Sequence, residues 1–176
     1  MRNVRHPALL ALMVLISALT WAGEPQPATE PTKSMADLVD FFKGEWQCAG
    51  QFSSGKKITS TESFESLLGG VWLQQVHHDD PPFGYHAYSM WGVDRDSGHL
   101  LVTIYDVTGG KRMFSSPTYA APTIILSILP GPESKTVTER FIYERKSTTA
   151  FSFEYQTPNA SGAWAMVDHL ECRRGP

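Results

Sequence analysis

Cysteine is scarce in this chain, with two in 176 residues, and the scarcity narrows its chemistry at once. Cys48 and Cys172 have neither the CxxC spacing of a redox motif nor the clustering of a metal-ligand set. Long apolar runs are also missing. The longest, Ala8 to Leu19, falls short of the roughly 20 residues that a membrane-spanning helix needs. Charge is sparse and mixed: the formal net charge is −3 and no basic run exceeds two residues. A nucleic-acid partner or an anionic membrane surface is therefore not expected. There is no Gly-x-Ser-x-Gly nucleophile elbow. Thr108-Gly109-Gly110-Lys111 lacks the glycine spacing and following helix of a phosphate-binding loop. No internal repeat or low-complexity tract is present.

What is there begins with a basic start (Arg2, Arg5, His6), the apolar run, and small residues around Thr20-Trp21-Ala22-Gly23. That order predicts a secretory signal peptide over 1–22, cut after Ala22. No membrane span is expected once it is removed. A Pro-rich leader over 23–33 follows and predicts extended, poorly ordered chain. The remainder, 34–176, has the size of one domain able to bury a real core. Export to the periplasm or beyond the cell also favours a bridge between the two cysteines.

Ser34 is placed to cap a helix, and Met35, Leu38, Val39, Phe41 and Phe42 recur at helical spacing, which predicts one short helix over Met35 to Phe42. From Gly44 onward, short segments rich in Val, Ile, Thr and aromatics alternate with Gly, Pro, Asp and Ser. They predict strands over Gly44–Phe52, Lys57–Leu67, Gly70–Asp79, Tyr85–Val93, His99–Val107 and Lys111–Ser115. Four more are predicted over Ala121–Ile128, Lys135–Arg145, Thr149–Gln156 and Ala163–Arg173. Ten strands with short links predict an all-β, antiparallel up-and-down meander, and one this long closes into a barrel to remove its edges.

Alternation sorts the faces, because successive strand residues point to opposite sides. Phe151, Phe153 and Tyr155 share one face. In the first strand Trp46, Cys48, Gly50 and Phe52 share another, and in the last Trp164, Met166, Asp168, Leu170 and Cys172 do. Both cysteines fall on the apolar face, so a Cys48–Cys172 bridge is consistent with first and last strands being neighbours. The same parity turns His169 outward.

His77-His78-Asp79-Asp80 is the densest cluster of ligand-type residues, with His86 on the next strand the natural third ligand. On one strand, His77 pairs only with Asp79 and His78 only with Asp80, so the bland reading is a polar strand end and no metal is assigned. Glu62, Glu65, Glu139, Glu144 and Glu154 are possible acid–base groups. Asp168 stands out because it shares an apolar face and needs a partner, for which Arg140 or Arg145 is available.

Three stretches carry a family resemblance: Gly44-x-Trp46 after the short helix, Leu68-Gly69-Gly70-Val71-Trp72-Leu73, and Phe83-Gly84-Tyr85 through Trp91-Gly92-Val93-Asp94. With these the chain resembles the lipocalin-like barrels of the uncharacterised group labelled DUF1579 and, more distantly, the nitrobindin-like haem barrels. The first resemblance implies a barrel with a central cavity and no established activity. The second implies a haem-iron ligand near the end of the last strand, where His169 is the matching position. This chain departs from that pattern by carrying Cys48 where the family has a glycine two residues after the tryptophan.

Taken together, these residues predict an exported barrel whose interior binds a small, mostly apolar molecule, with Trp46, Phe64, Trp91, Phe151, Phe153, Trp164 and Asp168 as cavity candidates. No cofactor is assigned, and the oligomeric state is left open. The competing readings are an enzyme built on Asp168 with Arg140 or Glu154, a haem barrel using His169, and an envelope interaction protein with a filled core.

Overall fold

Met35, Leu38, Val39 and Phe42 are all buried, so the helical stripe in the sequence becomes the packed face of one helix, α1 (Met35–Phe42). Gly44, at φ 112°, makes the turn out of that helix that a residue with a Cβ resists. The structure is a computed structural model and describes residues 35–131 and 137–175. The signal peptide and leader expected over 1–33, and the Ser34 cap, lie outside the described residues.

Ten strands follow: β1 (Gly44–Phe52), β2 (Lys57–Leu67), β3 (Trp72–Asp79), β4 (His86–Val93), β5 (Leu100–Asp106), β6 (Lys111–Ser116), β7 (Thr123–Ile128), β8 (Arg140–Ser147), β9 (Ala150–Pro158) and β10 (Trp164–Arg174). Each pairs antiparallel with its neighbours in sequence, and β1 pairs with β10, which closes the barrel. The third strand starts two residues later than its sequence pattern suggests. Leu68–Gly70 forms a tight turn of 3-10 helix, with Gly69 and Gly70 at positive φ. The eighth strand starts at Arg140; of the expected Lys135 start, 135–136 lie outside the described residues and 137–139 are not strand.

At the seam, Cys48 lies directly across from Cys172 and the two are bridged, with their Cα atoms 4.0 Å apart. The last strand also ties down the helix. Arg174 donates from Nη1 to the Lys43 carbonyl and from Nη2 to the Phe41 carbonyl, both at 2.6 Å, which places a cation on the carbonyls a helix end leaves unmatched. Trp46 Nε1 donates to the Phe42 carbonyl at 2.7 Å.

Beneath the helix the barrel is filled by rings. Phe42 packs at 5.0 Å from Phe64, 5.7 Å from Trp91 and 5.2 Å from Phe151, and Trp46 meets Phe151 edge-on at 4.8 Å. Trp46, Trp91 and Phe151 have no exposed surface. These rings form a plug at the helix end, in edge and tilted contacts of the kind aromatic quadrupoles favour.

One irregularity changes which residues face inward. Met166 pairs with Gln156, but Asp168 pairs with Tyr155, so Val167 is bulged out of the β9–β10 ladder. A bulge reverses side-chain parity along the strand. From Asp168 onward the expected inner set holds. Before it, Trp164 and Met166 share the side of Gln156, opposite to Phe153 and Tyr155, and face outward. The expectation that Trp164 lines the interior is therefore corrected, and its ring stacks under the Arg140 guanidinium at 4.3 Å.

Candidate functional site

Above the plug, at the end away from α1, the barrel encloses a cavity of about 400 Å³. One part of its wall is apolar: Phe52, Ile58, Phe83, Ala87, Ile104, Phe141, Phe153 and Leu170. The rest is polar and is built from Gln75, His77 and Asp79 on β3, Ser89 on β4, Arg112 on β6, Tyr143 on β8, Tyr155 on β9 and Asp168 on β10, with Tyr85 from the loop before β4. A concave, mostly apolar interior with a few convergent polar groups is the usual form of a small-molecule site.

Two polar networks hold that wall in place. The first crosses β2, β3 and β4. Trp91 Nε1 donates to Gln75 Oε1 at 3.0 Å, and Gln75 Nε2 donates to Glu62 Oε2 at 2.8 Å. Glu62 Oε1 in turn meets His77 Nδ1, and His77 Nε2 meets Asp79 Oδ1 at 2.8 Å. Strand register explains the pairing, since Glu62 stands directly across from His77 and Asp79 is two residues further along the same face. Burial opposes the charged imidazole, but the Glu62 and Asp79 carboxylates outweigh it and raise the His77 pKa to about 10. With a carboxylate on each ring nitrogen, both are donors and the ring is an imidazolium.

The second network lies across the cavity. Arg112 donates from Nη1 to Glu139 and from Nη2 to the Tyr85 hydroxyl, both at 3.0 Å, while the Tyr155 hydroxyl donates to Glu139 at 2.9 Å. Asp106 lies 3.7 Å from Arg112. Burial, then Glu139, pushes the Tyr155 phenol above its ordinary range. Tyr143, fully enclosed, is pushed up by burial and by the charge of Glu62.

Asp168 belongs to neither network. Among the described residues no basic side chain lies within ion-pair distance of it. Burial pushes its carboxyl up to about 6, the His77 charge pulling it down and Asp79 pushing it up. Arg140 is not its partner, because it donates to Gln156 on the outer wall at 2.6 Å. Arg145 stacks instead on Phe41 and Phe42 at the helix end, at 4.7 and 5.7 Å. Glu154, paired with His169 in the β9–β10 ladder, also faces out. The cluster that the competing enzyme reading requires, Asp168 with Arg140 or Glu154, is not assembled.

Of the other candidates named from the sequence, Phe153 lines the cavity, whereas Trp46, Phe64, Trp91 and Phe151 form the plug beneath it. His78 and His86 stack on the outer wall, 4.6 Å between centroids and 10° from parallel. His169 lies outside between Glu154 and Glu171, at 3.3 and 3.1 Å. Among the described residues no group of three or more His, Cys, Asp or Glu is arranged to hold a metal ion. Haem does not fit the side chains present: the inner histidine has both ring nitrogens engaged, and His169 points away from the cavity. Arg112, Tyr85 and Tyr155 were not singled out as site residues by the sequence. The signal for Arg112 was there, since it falls on the same parity as buried Phe114 and Ser116.

No family model and no curated protein matches this chain. Solved structures do. Rv2717c from M. tuberculosis superposes with a TM-score of 0.58 at 13% identity, covering 81% of this chain and 98% of its own. A redesigned β-barrel, mFAP1, bound to DFHBI, gives 0.44 at 15% identity over 80% of this chain and 100% of its own. A Nostoc punctiforme protein of unknown function from the DUF3598 family gives 0.40 at 13% identity over 88% of this chain and 53% of its own. At such identity the Rv2717c likeness shows a shared barrel fold, and function has to be argued from the site. No helix among the described residues is long and apolar enough to cross a membrane.

Proposed function

We propose that this protein is an exported barrel that holds one small, mostly apolar molecule in its interior. The observation that carries the reading is the cavity of about 400 Å³ above a close-packed aromatic plug. A barrel filled throughout would serve stability alone, but here the rings fill one end and leave the other open. The polar networks at the wall fix the orientation of the tyrosines and His77 without a ligand, and such preorganisation lowers the ordering cost of binding. The Cys48–Cys172 bridge supports export, since structural disulfides persist outside reducing compartments. The lipocalin-like, DUF1579-type reading of the sequence motifs accords with a ligand-holding interior.

Native mass spectrometry and an absorption spectrum of protein purified from its source test this directly. The expected result is a retained small molecule, or stoichiometric uptake of an added apolar probe such as 4-phenylbutanol. Ala87, buried and lining the cavity, gives the control: Ala87→Phe fills the space and is expected to abolish uptake while the fold persists. Wild-type protein that carries no adduct and takes up no apolar probe overturns the reading.

A further inference from the structure

The walls of this cavity are not neutral. Both bases that line it are already matched: His77 is held between Glu62 and Asp79, and Arg112 between Glu139, the Tyr85 hydroxyl and Asp106. The first set carries two carboxylates on one imidazolium, and the second brings two carboxylates to one guanidinium. Asp168 then adds a carboxyl with no base in ion-pair distance among the described residues. The interior therefore holds an excess of negative charge, and among the described residues the one charged lining group without an ion-pair partner is acidic.

An incoming anion meets Asp168 and has to displace Glu139 or Asp79 to reach a positive charge. A neutral molecule leaves the enclosed Asp168 carboxyl with a backbone hydrogen bond from Tyr155 but no opposite charge in contact, which is costly whenever that group is ionised. A cation supplies the missing charge. Around Asp168 the wall is aromatic: Tyr155, its cross-strand partner, and Phe153, Phe141 and Phe52 also line the cavity. Ring faces attract ammonium groups, and the attraction grows when water is excluded.

We propose that the molecule this cavity takes carries a positively charged nitrogen, as an apolar amine or quaternary ammonium, held between Asp168 and the surrounding rings. The inference rests on the cavity being a ligand site, and it goes beyond that by fixing the charge of the ligand. The sequence alone does not supply it, because alternation places Asp168 inward but does not show which bases reach it; in the fold Arg140 is engaged by Gln156 on the outer wall and Arg145 by Phe41 at the helix end.

Three probes of one shape and different charge test it on the intact protein: 4-phenylbutylamine, 4-phenylbutanol and 4-phenylbutanoate, titrated by calorimetry at neutral pH. The amine is expected to bind about tenfold or more tightly than the alcohol, and the carboxylate most weakly, since close opposite charges in a partly dry site differ by that order. Asp168→Asn is expected to abolish the preference for the amine, so that amine and alcohol bind the variant with similar affinity. Amine and alcohol binding equally well, or the carboxylate binding best, overturns the charge inference and leaves the cavity reading standing. Failure of all three to bind overturns both. The wild-type comparison alone decides the matter if the variant does not fold.

Discussion

Asp168 stands across the ladder from Tyr155 rather than from Glu154, where the Met166–Gln156 register would put it, because Val167 is left out of the β9–β10 pairing. That single extra residue sets the character of the interior. It sends Trp164 and Met166 to the outer wall while Asp168 stays on the inner one with Leu170 and Cys172, near His77 and Asp79.

The buried carboxyl has a measurable cost. Burial raises the Asp168 pKa above the ordinary carboxylate value of 3.8, to about 6. The folded state thus binds its proton more tightly than the unfolded chain does. The associated stability is present below the ordinary pKa and is lost as pH rises through about 6. In ligand-free protein, Asp168→Asn is expected to raise stability near pH 8 by about 1 to 2 kcal/mol, a few degrees in melting temperature, with little effect near pH 4. Thermal melts of both proteins across that range check it, and a destabilised variant at pH 8 would count against the assignment.

His77 has the opposite sign. Its folded pKa, near 10, lies above the unfolded 6.5, so its contribution is complete below about pH 6.5 and fades as pH climbs through about 10. His77→Gln leaves Glu62, which has no exposed surface, facing a neutral amide. A loss of about 3 kcal/mol is expected near pH 6, the scale for breaking a buried charge pair, and the gap should narrow markedly above about pH 10. Urea unfolding of both proteins at the two pH values measures it; a gap that does not change with pH removes the imidazolium from the account.

Gly50 marks a close approach of the two seam strands. A Cβ there would sit 1.8 Å from the His169 carbonyl oxygen and 2.7 Å from Leu170 Cα, both backbone atoms that have nowhere to move. Gly50→Ala is expected to cost about 2 to 3 kcal/mol, toward the upper end for overpacking. A denaturant midpoint equal to wild type would mean the seam is looser than this geometry.

Much of this was legible from the residues. The helix over Met35–Phe42, the bounds of β1 and β2, the ten-strand closure and the Cys48–Cys172 bridge all follow from helical spacing, from period-two alternation and from turn chemistry. Those signals are local, or need only the order of strands. Where a partner sits across the ladder is not local. Glu62, His77 and Asp79 were each noticed, but only the β2–β3 register brings Glu62 against His77. The Val167 bulge leaves no composition signal, so parity carried past it misplaced Trp164. Composition alone does not separate aromatics that fill the barrel from those that shape its cavity, and here they do both at different heights: Trp46, Phe64, Trp91 and Phe151 close one end, while Phe153 belongs to the open one.

The bridge at the seam joins residues 124 apart in sequence, so it restrains nearly the whole domain when unfolded. In the chain-entropy model a loop of that length is worth about 5 kcal/mol. The folded barrel loses little when the bridge is removed, because the β1–β10 ladder runs from Trp46 to Phe52 on both sides of it. Replacing Cys48 and Cys172 together by Ser is therefore expected to lower stability by about 3 to 5 kcal/mol while the native structure persists. Its signature lies in the unfolded state: an uncrosslinked chain exposes more surface, so the urea m-value should rise as the midpoint falls. Circular dichroism of the folded double variant, followed through a urea titration, separates this from a collapsed seam. A seam that needs the bridge to form would instead show lost native signal before any denaturant is added.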